Sequence, residues 1–192
     1  MPEPSENVRS GKPSREQLDL AHGKMVDDII APDLKVLFSG INPSLYSAAV
    51  GHHFARPGNR FWPTLLAARF TPRLFSPSEG ALLVDLGYGI TNLVARATRT
   101  AAELTAEEFV KGGRLLEDKV RIYSPRIVAF LGITAYRSAF DRLDAKVGLQ
   151  NETIGIAKLW VLPNPSGLNA HYQRDDLKRL FEELREASGS SR

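Results

Sequence analysis

An α/β domain built on a mainly parallel sheet, covered on both faces, is the fold this sequence predicts, and three observations predict it. Short apolar runs bounded by breakers recur at residues 35–39, 126–132 and 158–163, each too short for a helix. Longer segments with apolar residues at helical spacing lie between them, and such alternation builds parallel sheets with helices as crossovers. The chain has 192 residues, 43% of them hydrophobic, enough for one continuous core and too few for two full-sized domains.

Taken in order, residues 1–13 hold three prolines and little apolar surface, so a tail is expected there. A single domain over 14–188 and a short C-terminal tail over 189–192 complete the division. Leu18, Met25, Ile29 and Ile30 give residues 15–30 a loosely helical spacing, which Pro32 would end. The strand Lys35-Val36-Leu37-Phe38-Ser39 follows and closes on Gly40. Helices are expected over 59–70, over 105–123 and over 134–143, the second opening with Thr105 and Glu108 as a capping box. The run 126–132 reads as a second buried strand and 158–163 as a third. A last helix over 174–187 puts Leu177, Leu180, Phe181 and Leu184 on one face.

Composition removes several function classes. No run approaches the roughly 18 consecutive apolar residues of a membrane helix, and the N-terminal stretch lacks the apolar segment of a signal peptide. Export and membrane insertion are therefore not expected. The absence of cysteine excludes disulfides, zinc–cysteine sites and iron–sulfur clusters and suits a reducing cytoplasm. The net charge of +3 is too small to identify a nucleic-acid partner by itself. Its distribution is uneven: residues 42–100 hold six arginines and no lysine against Glu79 and Asp85, a net of +4 that leaves −1 elsewhere. Arginine can grip a phosphate bidentately, although an arginine-rich solvated surface would read the same way.

In parallel sheets ligands collect beyond the carboxyl ends of the strands, where loops converge. Two candidate loops stand there, Gly40-Ile41-Asn42-Pro43-Ser44 and Pro163-Asn164-Pro165-Ser166-Gly167-Leu168-Asn169. An Asn-Pro-Ser triplet is ordinary turn chemistry when met once. Two copies just beyond two strands argue for the two lips of a pocket. Residues 51–62 add three aromatics, His52, His53, Arg56 and Arg60, the mixture of stacking faces and guanidinium groups that suits nucleic acid. Phe61 and Trp62 belong to the core of the next helix, so Phe54 is the stacking candidate. A metal on the His52–His53 pair is not expected, because His22 and His171 are far away in sequence.

Gly40-Ile41-Asn42-Pro43, Gly51-His52-His53-Phe54, Pro57-Gly58-Asn59-Arg60-Phe61-Trp62 and Asn164-Pro165-Ser166-Gly167-Leu168 resemble, in order and spacing, the mismatch-specific uracil-DNA and thymine-DNA glycosylase family. The likeness runs from about Lys35 to Leu184. It implies a three-layer α/β/α sandwich with a short, mainly parallel sheet, and a monofunctional DNA N-glycosylase that needs no cofactor. Asn42 resembles the catalytic asparagine that orients the attacking water. Ile41, Ser47, His53, Phe54 and Asn164 are implied to bind the flipped base. Ser166, Gly167 and Leu168, with Arg56 and Arg60, are implied to engage DNA, Leu168 as the wedge and Gly167 facing the orphaned guanine. Duplex DNA containing uracil, preferably opposite guanine, would be the partner of a monomeric, cytoplasmic enzyme.

Three positions depart from the family pattern or compete with it. Ser44 stands where glycine is common, and would stiffen the loop or add a hydroxyl. Ala170 stands where an arginine would grip the opposite strand, with His171 or Arg174 as substitutes. Asp85, between apolar residues and two glycines, is a second catalytic candidate, because a carboxylate at a strand end can take a proton or steady a sugar cation. A cap on its own glycine loop would explain Asp85 equally well. A non-catalytic DNA-damage binding module and a hydrolase of free nucleobases or nucleotides are the competing functions.

Overall fold

The computed structural model describes residues 12–189. Five strands, β1 (Val36–Gly40), β2 (Tyr88–Asn92), β3 (Ile127–Leu131), β4 (Gly148–Ile154) and β5 (Ala157–Leu162), form one sheet in the order β2-β1-β3-β5-β4. All pairings are parallel except β4 with β5, which is antiparallel. Among the described residues six α-helices accompany them: α1 (Arg15–Asp19), α2 (Leu45–Val50), α3 (Phe61–Ala67), α4 (Ala106–Tyr123), α5 (Ile133–Phe140) and α6 (Arg174–Gly189).

Alternation along the strands sends each residue to one of two cores. Val36, Phe38, Ile127, Ala129, Leu131, Trp160 and Leu162 meet Phe61 and Leu65 of α3 and Leu177, Phe181 and Leu184 of α6. Leu37, Val128, Phe130, Leu159 and Val161 meet Leu116 and Val120 of α4 and Ala135 and Tyr136 of α5. The expected three-layer α/β/α sandwich is thus present, with both faces of the sheet buried. Each fully buried Leu or Phe contributes about 1.5–3 kcal/mol, so the helices are held chiefly by these faces.

The chain leaves β1 for β2 on one side, while β3 lies on the other. The carboxyl end of β1 is therefore a topological switch point, where crossovers diverge and leave a crevice. Gly132, after β3, has φ +146°, and a Cβ there would meet the Ile41 side chain at 3.0 Å. Its lack of a side chain lets the loops after β1 and β5 close over the end of β3.

The three expected strands and the helices after residue 58 are present, with shifted ends. The helix expected over 59–70 is confined to α3: Arg69 takes φ +62°, which stops it. The one expected over 134–143 ends as α5, at Asp141 with φ 52°. Thr105 caps α4 with the anticipated box, its hydroxyl accepting from the Glu108 N–H.

The helix expected over 15–30 is mostly absent. Only α1 forms, and the chain then turns at Gly23 (φ +77°) and runs on until Ile29 exchanges both backbone hydrogen bonds with Ile90 of β2. Its apolar residues answer to this pairing rather than to a helix face. β2 was not expected, because Gly87-Tyr88-Gly89 reads as a loop. Gly89 is a strand glycine: a Cβ there would lie 2.5 Å from the Ile29 carbonyl oxygen, so the empty position admits the strap across β2. The proposed tails lie outside the described residues except for Lys12, Pro13 and Gly189.

Candidate active site

A cleft of about 200 Å³ opens at the switch point, lined by Ile41, Asn42, His53, Phe54, Asn92 and Asn164 among others. Most of the residues expected to act together do meet there, including Ser47, Arg56, Ser166 and Leu168.

Asn42 is the most firmly oriented of them. Its Nδ2 donates to the Arg96 carbonyl at 3.0 Å and to the Thr98 hydroxyl at 2.7 Å. A carbonyl oxygen can only accept, so the amide cannot turn over, and Oδ1 is the end left for the cleft. Thr98, itself buried, donates onward to the Thr100 carbonyl at 2.8 Å. The loop that supplies these acceptors is anchored by the Arg96 guanidinium, which binds both oxygens of Glu108. That pairing holds the Glu108 carboxyl down at about 2.

Phe54 forms one wall. It adopts φ 53°, uncommon for a bulky residue and held here by its surroundings. Its ring stacks on Phe61 with centroids 4.1 Å apart, and Trp62 Nε1 donates to the preceding carbonyl, of His53, at 3.1 Å. Phe61 and Trp62 are buried, as expected for core residues, and serve the site by pinning Phe54. Ser47 pins the same loop from the other side, accepting from the Ala55 N–H at 3.2 Å and from the Ser44 hydroxyl at 3.1 Å. Ser44 also caps α2, accepting from the Ser47 N–H, so its effect is to stiffen the loop.

The floor holds a residue that sequence reasoning missed. Asn92, the last residue of β2, is paired in register with Gly40, and a Cβ on Gly40 would lie 2.5 Å from Asn92 Oδ1 and 3.2 Å from the Phe54 ring. Gly40 is therefore required by its neighbours. Asn92 Nδ2 approaches Nδ1 of His53 at 3.4 Å, while Nε2 of His53 lies 2.9 Å from the Asp27 carbonyl oxygen. Because that carbonyl can only accept, Nε2 carries the proton and Nδ1 is the acceptor. Burial pushes the His53 pKa below its ordinary 6.5, which keeps this ring neutral. The signal for Asn92 is its place at a strand end, which the glycines at 87 and 89 hide by giving β2 the look of a loop. Thr98 was missed likewise, since it acts through Asn42.

The second lip is built largely by its own turn chemistry. Asn164 Oδ1 accepts from the Ser166 N–H at 2.9 Å, and Ser166 Oγ accepts from the Leu168 N–H at 3.3 Å. Asn164 thereby leaves its Nδ2 for the cleft. Leu168 stands 76% exposed at the tip. Gly167 faces the other loop: a Cβ there would lie 2.5 Å from the Gly58 carbonyl oxygen. Arg60 is committed to this lip, with its guanidinium donating to the carbonyls of Tyr172, Ser166 and Asn169 at 2.6, 2.7 and 3.0 Å. It is a strut between the two loops. Arg56 is exposed at the cleft mouth; its carbonyl accepts from the Asn59 N–H at 3.0 Å, while its guanidinium makes no hydrogen bond or ion pair among the described residues. Ile41 spends its carbonyl on the Val94 N–H at 2.9 Å, leaving its N–H for a ligand.

Asp85 is not brought to the cleft. It is exposed, in a 3-10 segment over Pro77–Leu86 that leads into the amino end of β2, whereas the cleft lies at the carboxyl ends. The expectation of a pocket carboxylate fails because the two glycines after Asp85 turn the chain into a strand instead of a site loop.

The chain is similar in fold to a solution structure of a Methanosarcina acetivorans protein provisionally described as a uracil DNA glycosylase. The two share 16% identity and superpose with a TM-score of 0.56 over 85% of this chain and 98% of that one. At the level of sequence, residues 28–186 match the family described as the Uracil DNA glycosylase superfamily. That span takes in the sheet, both lips of the cleft and every residue lining it, and the chain belongs to the uracil DNA glycosylase superfamily.

Proposed function

We propose that this chain is a monofunctional glycosylase of the mismatch-specific branch, which flips uracil from duplex DNA, preferably opposite guanine, and hydrolyses its N-glycosidic bond. The observation that carries the reading is the fixed Asn42 amide, whose Oδ1 is turned to a cleft sized for one base and walled by an aromatic ring.

Cleavage leaves an oxocarbenium-like sugar and an anionic pyrimidine. Asn42 Oδ1 accepts a hydrogen bond from the attacking water and aims it at the anomeric carbon; an amide has no useful basicity, so its contribution is orientation. Phe54 stacks on the flipped ring. Asn92, with Oδ1 and its second Nδ2 proton, meets the N3–H and O4 of uracil, and the Ile41 N–H and Asn164 Nδ2 stabilise the departing charge. No lysine lines the cleft among the described residues, which supports water rather than a protein amine as nucleophile. Leu168 enters the stack as the base leaves it, replacing lost apolar contact without stranding a polar group. Unpairing costs a few kcal/mol and least at a mismatch, which favours uracil opposite guanine.

Single-turnover release of uracil from a G·U duplex, an A·U duplex and a single strand tests this, with Asn42→Ala beside the wild type. Release that is fastest from G·U and falls on the order of 10²-fold in the variant is expected. Tight binding without release would make the protein a lesion-binding module. Release from free deoxyuridine at a comparable rate would make it a nucleoside hydrolase.

A further inference from the structure

Behind the cleft lies a polar cluster that the reading above does not use. Asp28, on the strap that crosses β2, accepts from the hydroxyl of Thr91 at 2.7 Å and pairs with the ammonium of Lys119 from α4. Lys119 Nζ reaches Thr91 Oγ1 as well, at 2.8 Å, so the three groups form a closed triangle. Thr91 is fully buried and both charged side chains are about three-quarters buried. Desolvation offsets much of the attraction within such a partly buried pair, so its geometry is more informative than its net contribution to stability.

We propose that Asp28 and Lys119 are positioning residues that set the hydrogen-bond polarity of the base pocket: they clamp the strap so that the Asp27 carbonyl holds His53 in one tautomer, and His53 in turn holds the Asn92 amide in one orientation. The inference rests on the glycosylase reading above.

The chain of contacts is short. Asp27 is the neighbour of Asp28, and the far side of the strap is tied by the paired backbone bonds of Ile29 with Ile90, at 2.9 and 2.7 Å. With Asp27 O at Nε2, the proton of the neutral ring sits on Nε2 and Nδ1 must accept. An accepting Nδ1 draws Asn92 Nδ2 towards itself, which turns Oδ1 and the other N–H to the ligand. That face matches a pyrimidine with a donor at N3 and an acceptor at C4, which is uracil. If the strap slackens, Nδ1 can carry the proton, the Asn92 amide turns over, and the face then matches the reversed edge of cytosine. The titratable and charged groups facing His53 are Asp28, His52 and Lys119; two are the clamp itself. Discrimination against cytosine, an ordinary constituent of DNA, would thus depend on a triangle that touches no substrate.

The test compares release of 5-fluorouracil and 5-fluorocytosine from otherwise identical duplexes, opposite guanine, by the wild type, Asp28→Asn, Lys119→Met and Lys119→Arg. Fluorine makes both bases competent leaving groups, and they differ only at the edge in question. The expected result is a fluorouracil-to-fluorocytosine ratio about tenfold or more lower in Asp28→Asn and Lys119→Met, with substantial recovery in Lys119→Arg. Equal losses on both bases, leaving the ratio unchanged, would make the triangle purely structural and overturn the proposal. The imidazole 15N spectrum of His53 supplies a readout independent of activity: one Nε2–H tautomer in the wild type and a mixture in the variants is expected. An unchanged tautomer in folded variants overturns it too. If Asp28→Asn does not fold, Lys119→Met carries both comparisons. Should the wild type release no uracil at all, the glycosylase reading fails, while the spectrum still decides the tautomer claim.

Discussion

Asn42 owes its direction to two acceptors, and only one of them is a side chain. Replacing Thr98 with valine keeps the volume and removes the acceptor, so Nδ2 of Asn42 and the carbonyl of Thr100 each lose a partner. Thr98→Val is expected to slow uracil release about tenfold under single-turnover conditions, with smaller loss in duplex binding measured by fluorescence anisotropy. Gly40 is a second residue whose neighbours leave no choice. An alanine would press its methyl on Asn92 Oδ1 and the Phe54 ring at once, and neither can move without opening the pocket. Gly40→Ala should lose on the order of 10² in release rate, at a stability cost of about 1–3 kcal/mol by urea unfolding.

At the scale of elements, the site depends on two loops that meet through Arg60 and through the contact of Gly167 with Gly58. Arg60 makes its bonds to several carbonyls of one loop with a planar fork, which lysine cannot reproduce. Arg60→Lys should raise hydrogen exchange across residues 164–172 and slow release from duplex more than from single strands, because the loop carries Leu168. α4 meets the loop after β2 with comparable closeness. Gly112 packs where a Cβ would lie 2.3 Å from the Leu93 carbonyl oxygen, against the loop that orients Asn42. Gly112→Ala is therefore expected to destabilise the fold by about 1–3 kcal/mol in urea unfolding, and to slow release as well.

Over the whole molecule, acid should undo the protein in two steps. Glu79, bound by Arg73, and Glu108, bound by Arg96, titrate at about 2 in the folded chain against an ordinary 4.5. A depressed carboxyl contributes stability that is present above about 4.5 and lost as pH falls towards about 2. His53 is lowered from 6.5, so the unfolded chain binds its proton first, and stability rises with pH up to 6.5 and not beyond. Thermal midpoints measured from pH 8 to pH 2 should be level above 6.5, fall gently below it and fall steeply under 4.5; salt should blunt mainly the last step, and there the exposed Arg73–Glu79 pair more than the part-buried Arg96–Glu108 pair.

The layered architecture and the two lips of the cleft are legible in local residue patterns. Burial on both faces of a parallel sheet leaves continuous apolar runs, as at residues 35–39, 126–132 and 158–163, and the loops that follow two of them carry their own turn chemistry in Asn-Pro-Ser. Such signals are local. Long-range packing made Gly89 a strand residue, laid residues 24–29 across that strand and not in a helix, and put Asp85 at the wrong end of the sheet. It also turned Arg60 inward and brought Asn92, His53 and the Asp28–Lys119 triangle together. Each of these rests on partners dozens of residues away, such as Gly89 with Ile29, Arg60 with Tyr172 and Lys119 with Asp28. A glycine is read as a turn from its own freedom, yet here it is needed for the room it leaves to another part of the chain.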